Sequence, residues 1–178
     1  MLEPFHPYLS PSYRVKFATE AWEFEGARAL RQQVFCREQG LFDADDRDAV
    51  DDYATTIVAV SLLAGEPDEV VGSVRIHPEA PGVWWGSRLA VAQRFRKVAG
   101  LGAGLIRLAV GSARGLGCRA FYAHVQAQNR PLFERLHWEP LQEIELRGWP
   151  HWLMRADLGQ YPVIAAPELG VPLCARAA

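Results

Sequence analysis

Hydrophobic positions along this chain switch between a period of two and a period near 3.6, and the switches mark its elements. Residues 13–17 alternate well enough for a first strand. From Thr19, a residue type that caps helices, a helical pattern runs to about Gln39. Ala27, Leu30 and Val34 lie three and four apart, with Arg28, Arg31 and Gln32 between them. Residues 42–52 (FDADDRDAVDD) are acidic and short of apolar side chains, and read as a solvated loop. Two β-rich runs, 55–63 (TTIVAVSLL) and 69–77 (EVVGSVRIH), flank the turn sequence GEPD and predict a hairpin. A third consecutive strand, 83–91 (VWWGSRLAV), follows another turn. Next come a helix from Gly100 to about Leu116, stopped by Gly117, and a strand over 119–126. Asn129 caps a short helix whose Pro131 sits in the first turn, where its missing N–H is harmless. Residues 142–147 and 151–157, joined by a Gly148-Trp149-Pro150 corner, predict a closing hairpin. The first 12 residues read as an extended arm, and the stretch from 159, with three prolines, as a tail or linker.

The predicted order is β-α-β-β-β-α-β-α-β-β. Antiparallel strands with one strand–helix–strand crossover imply an α+β fold: a mixed sheet of about seven strands flanked by helices. A length of 178 residues suits one such domain. Composition narrows the function classes. A net charge of −2 supplies no field that would attract nucleic acid. No apolar run approaches the ~20 residues of a membrane span, and the first residues lack a basic-then-apolar signal pattern. Cys36, Cys118 and Cys174 are odd in number and far apart, so neither a disulfide framework nor a zinc site is indicated. The acidic loop lacks the spaced pattern of a calcium loop. A reduced, cytoplasmic, enzyme-sized domain without a metal is the expectation. The oligomeric state stays open, a homodimer included.

Residues 97–110 (KVAGLGAGLIRLAV) carry the chemistry. Leu101, Leu105, Leu108, Ala109 and Leu116 fall on one helix face, opposite Arg107 and Arg114, and Gly104 fits close packing on a sheet. Packing does not account for Gly100 and Gly102 at the helix start behind Arg94-Phe95-Arg96-Lys97. A helix start presents unpaired N–H groups and partial positive charge, and removing side chains there lets an anion reach them. A strand, a basic turn and a glycine-rich helix start make a phosphate site. It is neither a dinucleotide fingerprint, since the glycines run G-x-G-x-G after an eight-residue turn, nor a P-loop, since Gly104 precedes Leu105-Ile106.

This arrangement resembles the acyl-coenzyme A site of the GNAT (Gcn5-related) N-acetyltransferase superfamily. The family's strand ending in L-x-V matches Leu89-Ala90-Val91, and its [Q/R]-x-x-G-x-[G/A] opening a helix matches Lys97-Val98-Ala99-Gly100-Leu101-Gly102, with Lys in the first position. Val125-Gln126-Ala127-Gln128-Asn129 and Phe133-Glu134-Arg135-Leu136-His137-Trp138 resemble its following strand and helix. The resemblance covers about 13–158. It extends to an N-terminal GNAT-type domain that in some proteins precedes a domain like aminoimidazole ribonucleotide synthase. It implies a cleft between two splayed parallel strands and acetyl-CoA as co-substrate. Backbone groups of Leu89, Ala90 and Val91 would pair with the pantetheine amides. The N–H groups of Val98, Ala99, Gly100, Leu101, Gly102 and Ala103 would bind the pyrophosphate beside Arg96 and Lys97. Asn129 and Phe133 would border the thiol end. Many members carry at Phe133 a Tyr that protonates the departing thiolate; Phe133 has no proton to give.

Direct acyl transfer to a small amine needs a group to take the amine's proton. His124, on the strand bordering the expected cleft, is the first candidate and His77 the second, each weighed against a structural histidine or turn. Arg31, Glu38, Asp51 and His151 are candidates for binding a polar substrate, weighed against ordinary surface charge. Cys36 reads as a core thiol. Trp84 and Trp85 must point to opposite faces. Two alternatives remain: a non-catalytic acyl-CoA-binding domain, favoured by Phe133, and an acyl-homoserine-lactone-type synthase, favoured by the VF-x-x-EQ helix followed by acidic residues.

Overall fold

The computed structural model describes residues 8–98 and 100–175. Its sheet has eight strands: β1 (Ser12–Phe17), β2 (Thr55–Leu63), β3 (Glu66–Ala80), β4 (Val83–Val91), β5 (Ala120–Gln126), β6 (Trp138–Leu146), β7 (Trp149–Ala156) and β8 (Val171–Cys174). They lie in the order β6-β7-β5-β4-β3-β2-β1-β8. Every neighbouring pair is antiparallel except β4–β5. That parallel step needs a crossover, and α2 (Leu101–Gly115) supplies it.

Helix α2 and the short α3 (Arg130–Arg135) cover one face. Leu101, Leu105, Leu108 and Ala109 enter the main core with Ile57, Ile76 and Phe121, as their spacing predicts. Leu116 departs from that stripe. The helix ends at Gly115, the chain turns left-handed at Gly117, and Leu116 is left exposed. The other face takes α1 (Ala21–Arg31), with Ala27 on Val58 and Val60, and Leu30 beside Ala90. The cap of α1 is Glu20, one residue past the expected Thr19; Glu20 and Glu23 form a reciprocal capping box. Beyond Arg31 the coil widens into a π-helix over Gln32–Glu38.

Two hairpins are tighter than their turn residues imply. β2 and β3 meet across Ala64–Gly65, so three of the four residues of GEPD are strand, and β6 and β7 meet across Arg147–Gly148 rather than a three-residue corner.

Residues 159–175, expected as a tail or linker, pack on the domain. β8 pairs with β1 and makes the eighth strand. Tyr161, 3% exposed, accepts from Trp138 Nε1 at 2.9 Å and donates to Leu136 O. The glycines of α2 admit this segment. A Cβ on Gly104 would stand 2.8 Å from Leu173, and one on Gly111 2.7 Å from the Pro162 carbonyl oxygen. No helix among the described residues is long and apolar enough to cross a membrane.

Candidate functional site

The β4–β5 ladder runs from Val83–Ala120 to Gly86–Ala123 and stops, although both strands continue to Val91 and Gln126. The cause lies in β4. Between the pairs Ser73–Ala90 and Arg75–Ser87, β4 spends one residue more than β3. Arg88 takes a left-handed φ of 56° there, a bulge that turns the strand away from β5. A cavity of about 450 Å3 opens where the strands part.

Charge holds the bulge. Arg88 Nε donates to Asp46 Oδ2 at 2.9 Å, and Arg31 Nε donates to the same oxygen at 2.7 Å. Arg75 forks onto Asp48 at 2.7 and 2.9 Å, and Arg31 forks onto Asp51 at 2.7 and 3.1 Å. The acidic segment read as a solvated loop is therefore an anchor. Asp46 is 1% exposed, and the charges that account for it come from two other elements, Arg31 on α1 and Arg88 on β4. The Arg75 guanidinium holds Asp48 below the usual carboxylate range. Burial alone would raise Asp51, but hydrogen bonds from Arg31, the Asp48 amide and Arg75 outweigh it and lower its pKa. Arg31 and Asp51 thus face each other and not the cavity. Glu38 also stands off the cavity wall, paired with Arg96 at 2.6 Å.

The remaining predicted residues divide between two places. Leu89, Asn129, Phe133, His77, His124 and His151 line the cavity. Arg96, Lys97 and Gly100 form an exposed tip where β4 leads into α2. Buried Phe95 fixes that turn, its ring edge-on to Tyr13 at 6.2 Å. Gly100 caps the helix at φ 92°, a conformation that disfavours side chains. Leu101, Gly102 and Ala103 occupy the first turn, whose N–H groups a helix cannot satisfy itself. Val98 N–H donates to Phe95 O at 3.0 Å. The Val91 carbonyl accepts from Arg96 Nε at 2.9 Å, while Ala90 is buried and pairs with Ser73. Ala99 lies outside the described residues.

Alternation along β5 sends Phe121, Ala123 and Val125 into the core, leaving Tyr122, His124 and Gln126 on the opposite face. Trp84 is core, and Trp85 joins that second face, its ring 5.5 Å from Tyr122 and 4.9 Å from His124. Loss of hydration against this aromatic wall, with His151 nearby, lowers the pKa of the otherwise exposed His124 below 6.5, so the imidazole is neutral at neutral pH. His77 is lowered too, by burial and then Arg75, and its buried Nδ1 has no partner among the described residues. His151 donates from Nδ1 to Trp149 O at 2.9 Å. Asn129 makes no side-chain capping bond, which leaves its amide to the cavity. Phe133 packs edge-on to Trp138 at 5.0 Å.

Sequence reasoning missed Phe42, Glu79 and Arg147 on the cavity wall. Arg147 and Phe42 lie far apart in the chain, and no spacing rule links them.

A mixed sheet parted between the only two parallel strands among the described residues, with a glycine-opened helix beside the gap, defines the GNAT fold class. The chain belongs to the acetyltransferase (GNAT) family, whose model matches residues 19–138. Solved structures agree on the fold. A candidate N-acetyltransferase from Lactobacillus plantarum superposes with a TM-score of 0.73 at 23% identity, over 82% of this chain and 98% of that one. An acyl-CoA N-acyltransferase from Pseudomonas aeruginosa gives 0.64 at 20%, over 81% and 98%. The CoA-dependent acyl-homoserine lactone synthase BjaI gives 0.61 at 19%, over 76% and 75%. Comparison with curated proteins finds no match.

Proposed function

We propose that this protein transfers an acyl group, acetyl in the first instance, from acyl-CoA to a small amine by direct attack in a ternary complex. The observation that carries this reading is the coincidence of three features at one point: the end of the β4–β5 ladder, the cavity, and a neutral histidine facing it. The first-turn amides of α2, which have no partner within the helix, would hold the diphosphate with Arg96 and Lys97. The free edge of β4 at Leu89, Ala90 and Val91 would hold the pantetheine arm as an added strand. Arg96 would have to release the Val91 carbonyl and Glu38 as it turns to phosphate.

The thioester carbonyl then lies in the gap. His124 takes a proton from the amine, the nitrogen forms its bond to the carbonyl carbon, and the carbon–sulfur bond breaks as the thiolate leaves. Phe133 donates nothing to that thiolate, so its proton comes from water. The same residue supports a second reading, an acyl-CoA-binding domain without turnover.

Calorimetry with acetyl-CoA and a thiol-release assay over an amine panel separate the two. Binding that disappears in Gly100→Val/Gly102→Val, with thiol release on amine addition, supports transfer. Binding without release for any amine supports the second reading, release that requires S-adenosylmethionine a homoserine-lactone-type reaction, and absent binding overturns all three.

A further inference from the structure

Three guanidiniums stand on the cavity wall, those of Arg75, Arg88 and Arg147. Two are consumed by protein carboxylates: Arg75 by Asp48 and Asp51, Arg88 by Asp46 and Asp48. Arg147 has no carboxylate or hydrogen-bond partner among the described residues. Glu79, the one carboxylate on the wall among the described residues, accepts from Trp85 Nε1 at 2.7 Å. Arg147 is nonetheless oriented. Its guanidinium carbon lies 3.9 Å from the centroid of Phe42, whose ring also has Arg88 at 4.6 Å. Stacking on an aromatic face holds the guanidinium while leaving its N–H edge available to a planar anion.

The backbone points the same way. Arg147 and Gly148 are the two turn residues between β6 and β7, with φ of 52° and 77°. Such a turn favours Asn, Asp or Gly at its first position. A long cationic side chain in a left-handed conformation is costly there and is retained where its placement matters.

We infer that the acceptor is an amine carrying a carboxylate, an amino-acid-like substrate, and that Arg147 binds its carboxylate. This inference rests on the acyltransferase reading and adds the acceptor's class to it. A purely cationic amine would meet an uncompensated guanidinium at the cavity, whereas a carboxylate can take the fork bidentately. The amine end of such a substrate is left to the histidine-lined part of the same cavity.

The experiment pairs leucine with isoamylamine and phenylalanine with phenethylamine, on the full chain with acetyl-CoA. Turnover is measured by thiol release, and binding to the CoA complex by calorimetry. The amino acids are expected to be preferred by roughly 10- to 100-fold, the scale of a charge-assisted bidentate contact. Arg147→Gly should erase that preference, while Arg147→Lys, a charge without the fork, should retain part of it. Arg147→Gly also relieves the turn, so its Tm should not fall and its affinity for acetyl-CoA should stay unchanged, which excludes misfolding. Equal use of the decarboxylated amines, undiminished preference in Arg147→Gly, or no binding by either class to a protein that binds acetyl-CoA overturns the inference. A protein that does not bind acetyl-CoA overturns the reading beneath it instead.

Discussion

His124 makes the sharpest demand at the scale of a single residue. Two other imidazoles line the same cavity, but His151 has its Nδ1 proton committed to a backbone carbonyl and His77 is packed edge-on to Tyr53 at 5.7 Å. His124 lies over Trp85 with a lowered pKa, so it is the free base through the neutral range. A lowered pKa places the loss of activity on the acid side. kcat/KM should rise with pH through an ionisation below 6.5 and then level off as far as this group is concerned. His124→Gln should reduce kcat by roughly 10²–10⁴-fold, the usual worth of a positioned base, and should remove the acid limb. An unchanged limb in that variant would move the role to His77.

The C-terminal segment shows at the scale of elements how far packing outruns pattern. Its prolines and weak periodicity read as a tail, yet Tyr161 is buried and Leu173 and Ile164 pack against the core. Gly111→Ala would drive a Cβ into the Pro162 carbonyl oxygen, a backbone atom that cannot swing aside. Such overpacking should destabilise the protein by about 1–3 kcal/mol, read as a lower urea midpoint with unchanged slope. Tyr161→Phe should cost about 1–2 kcal/mol, because it strands the buried Trp138 Nε1 donor. Near-wild-type midpoints in both variants would show that the segment is held loosely. Helix α1 repeats the lesson: Arg31 falls among the polar positions of its spacing and is buried, because Asp46 and Asp51 come to it from another part of the chain.

For the molecule as a whole, the Arg–Asp network links acid stability to the shape of the cleft. Asp48 and Asp51 titrate below their unfolded values, so their contribution is complete above about pH 4, the ordinary Asp range, and is lost as pH falls through the lowered values. The urea midpoint should hold steady from neutral pH to about 5 and fall below 4. Asp51→Asn breaks a partly buried pair and should cost roughly 3 kcal/mol at pH 7 while flattening the acid limb. Asp68→Asn, at an exposed carboxylate, should do neither. An acid limb that survives Asp51→Asn in full would place the linkage elsewhere. The same network holds Arg88 in its bulge, so Asp46→Ala should also weaken acetyl-CoA binding.

The amino-acid pattern alone determined much of this protein. Strand alternation marked β4 and β5, the 3.6 period marked α2, and the glycines behind a basic turn marked the helix start. These are local properties, set by backbone sterics and by which face must leave water. The tertiary structure alone decided the rest: the eighth strand, the burial of the acidic loop, the bulge that parts the parallel strands, and the stacking of Arg147 on Phe42. Each joins residues tens of positions apart, and periodicity along a chain cannot encode which distant charge or ring will arrive as a partner. The proposed phosphate site can be argued from the sequence because one turn would build it, whereas the proposed acceptor site needs separate elements to converge.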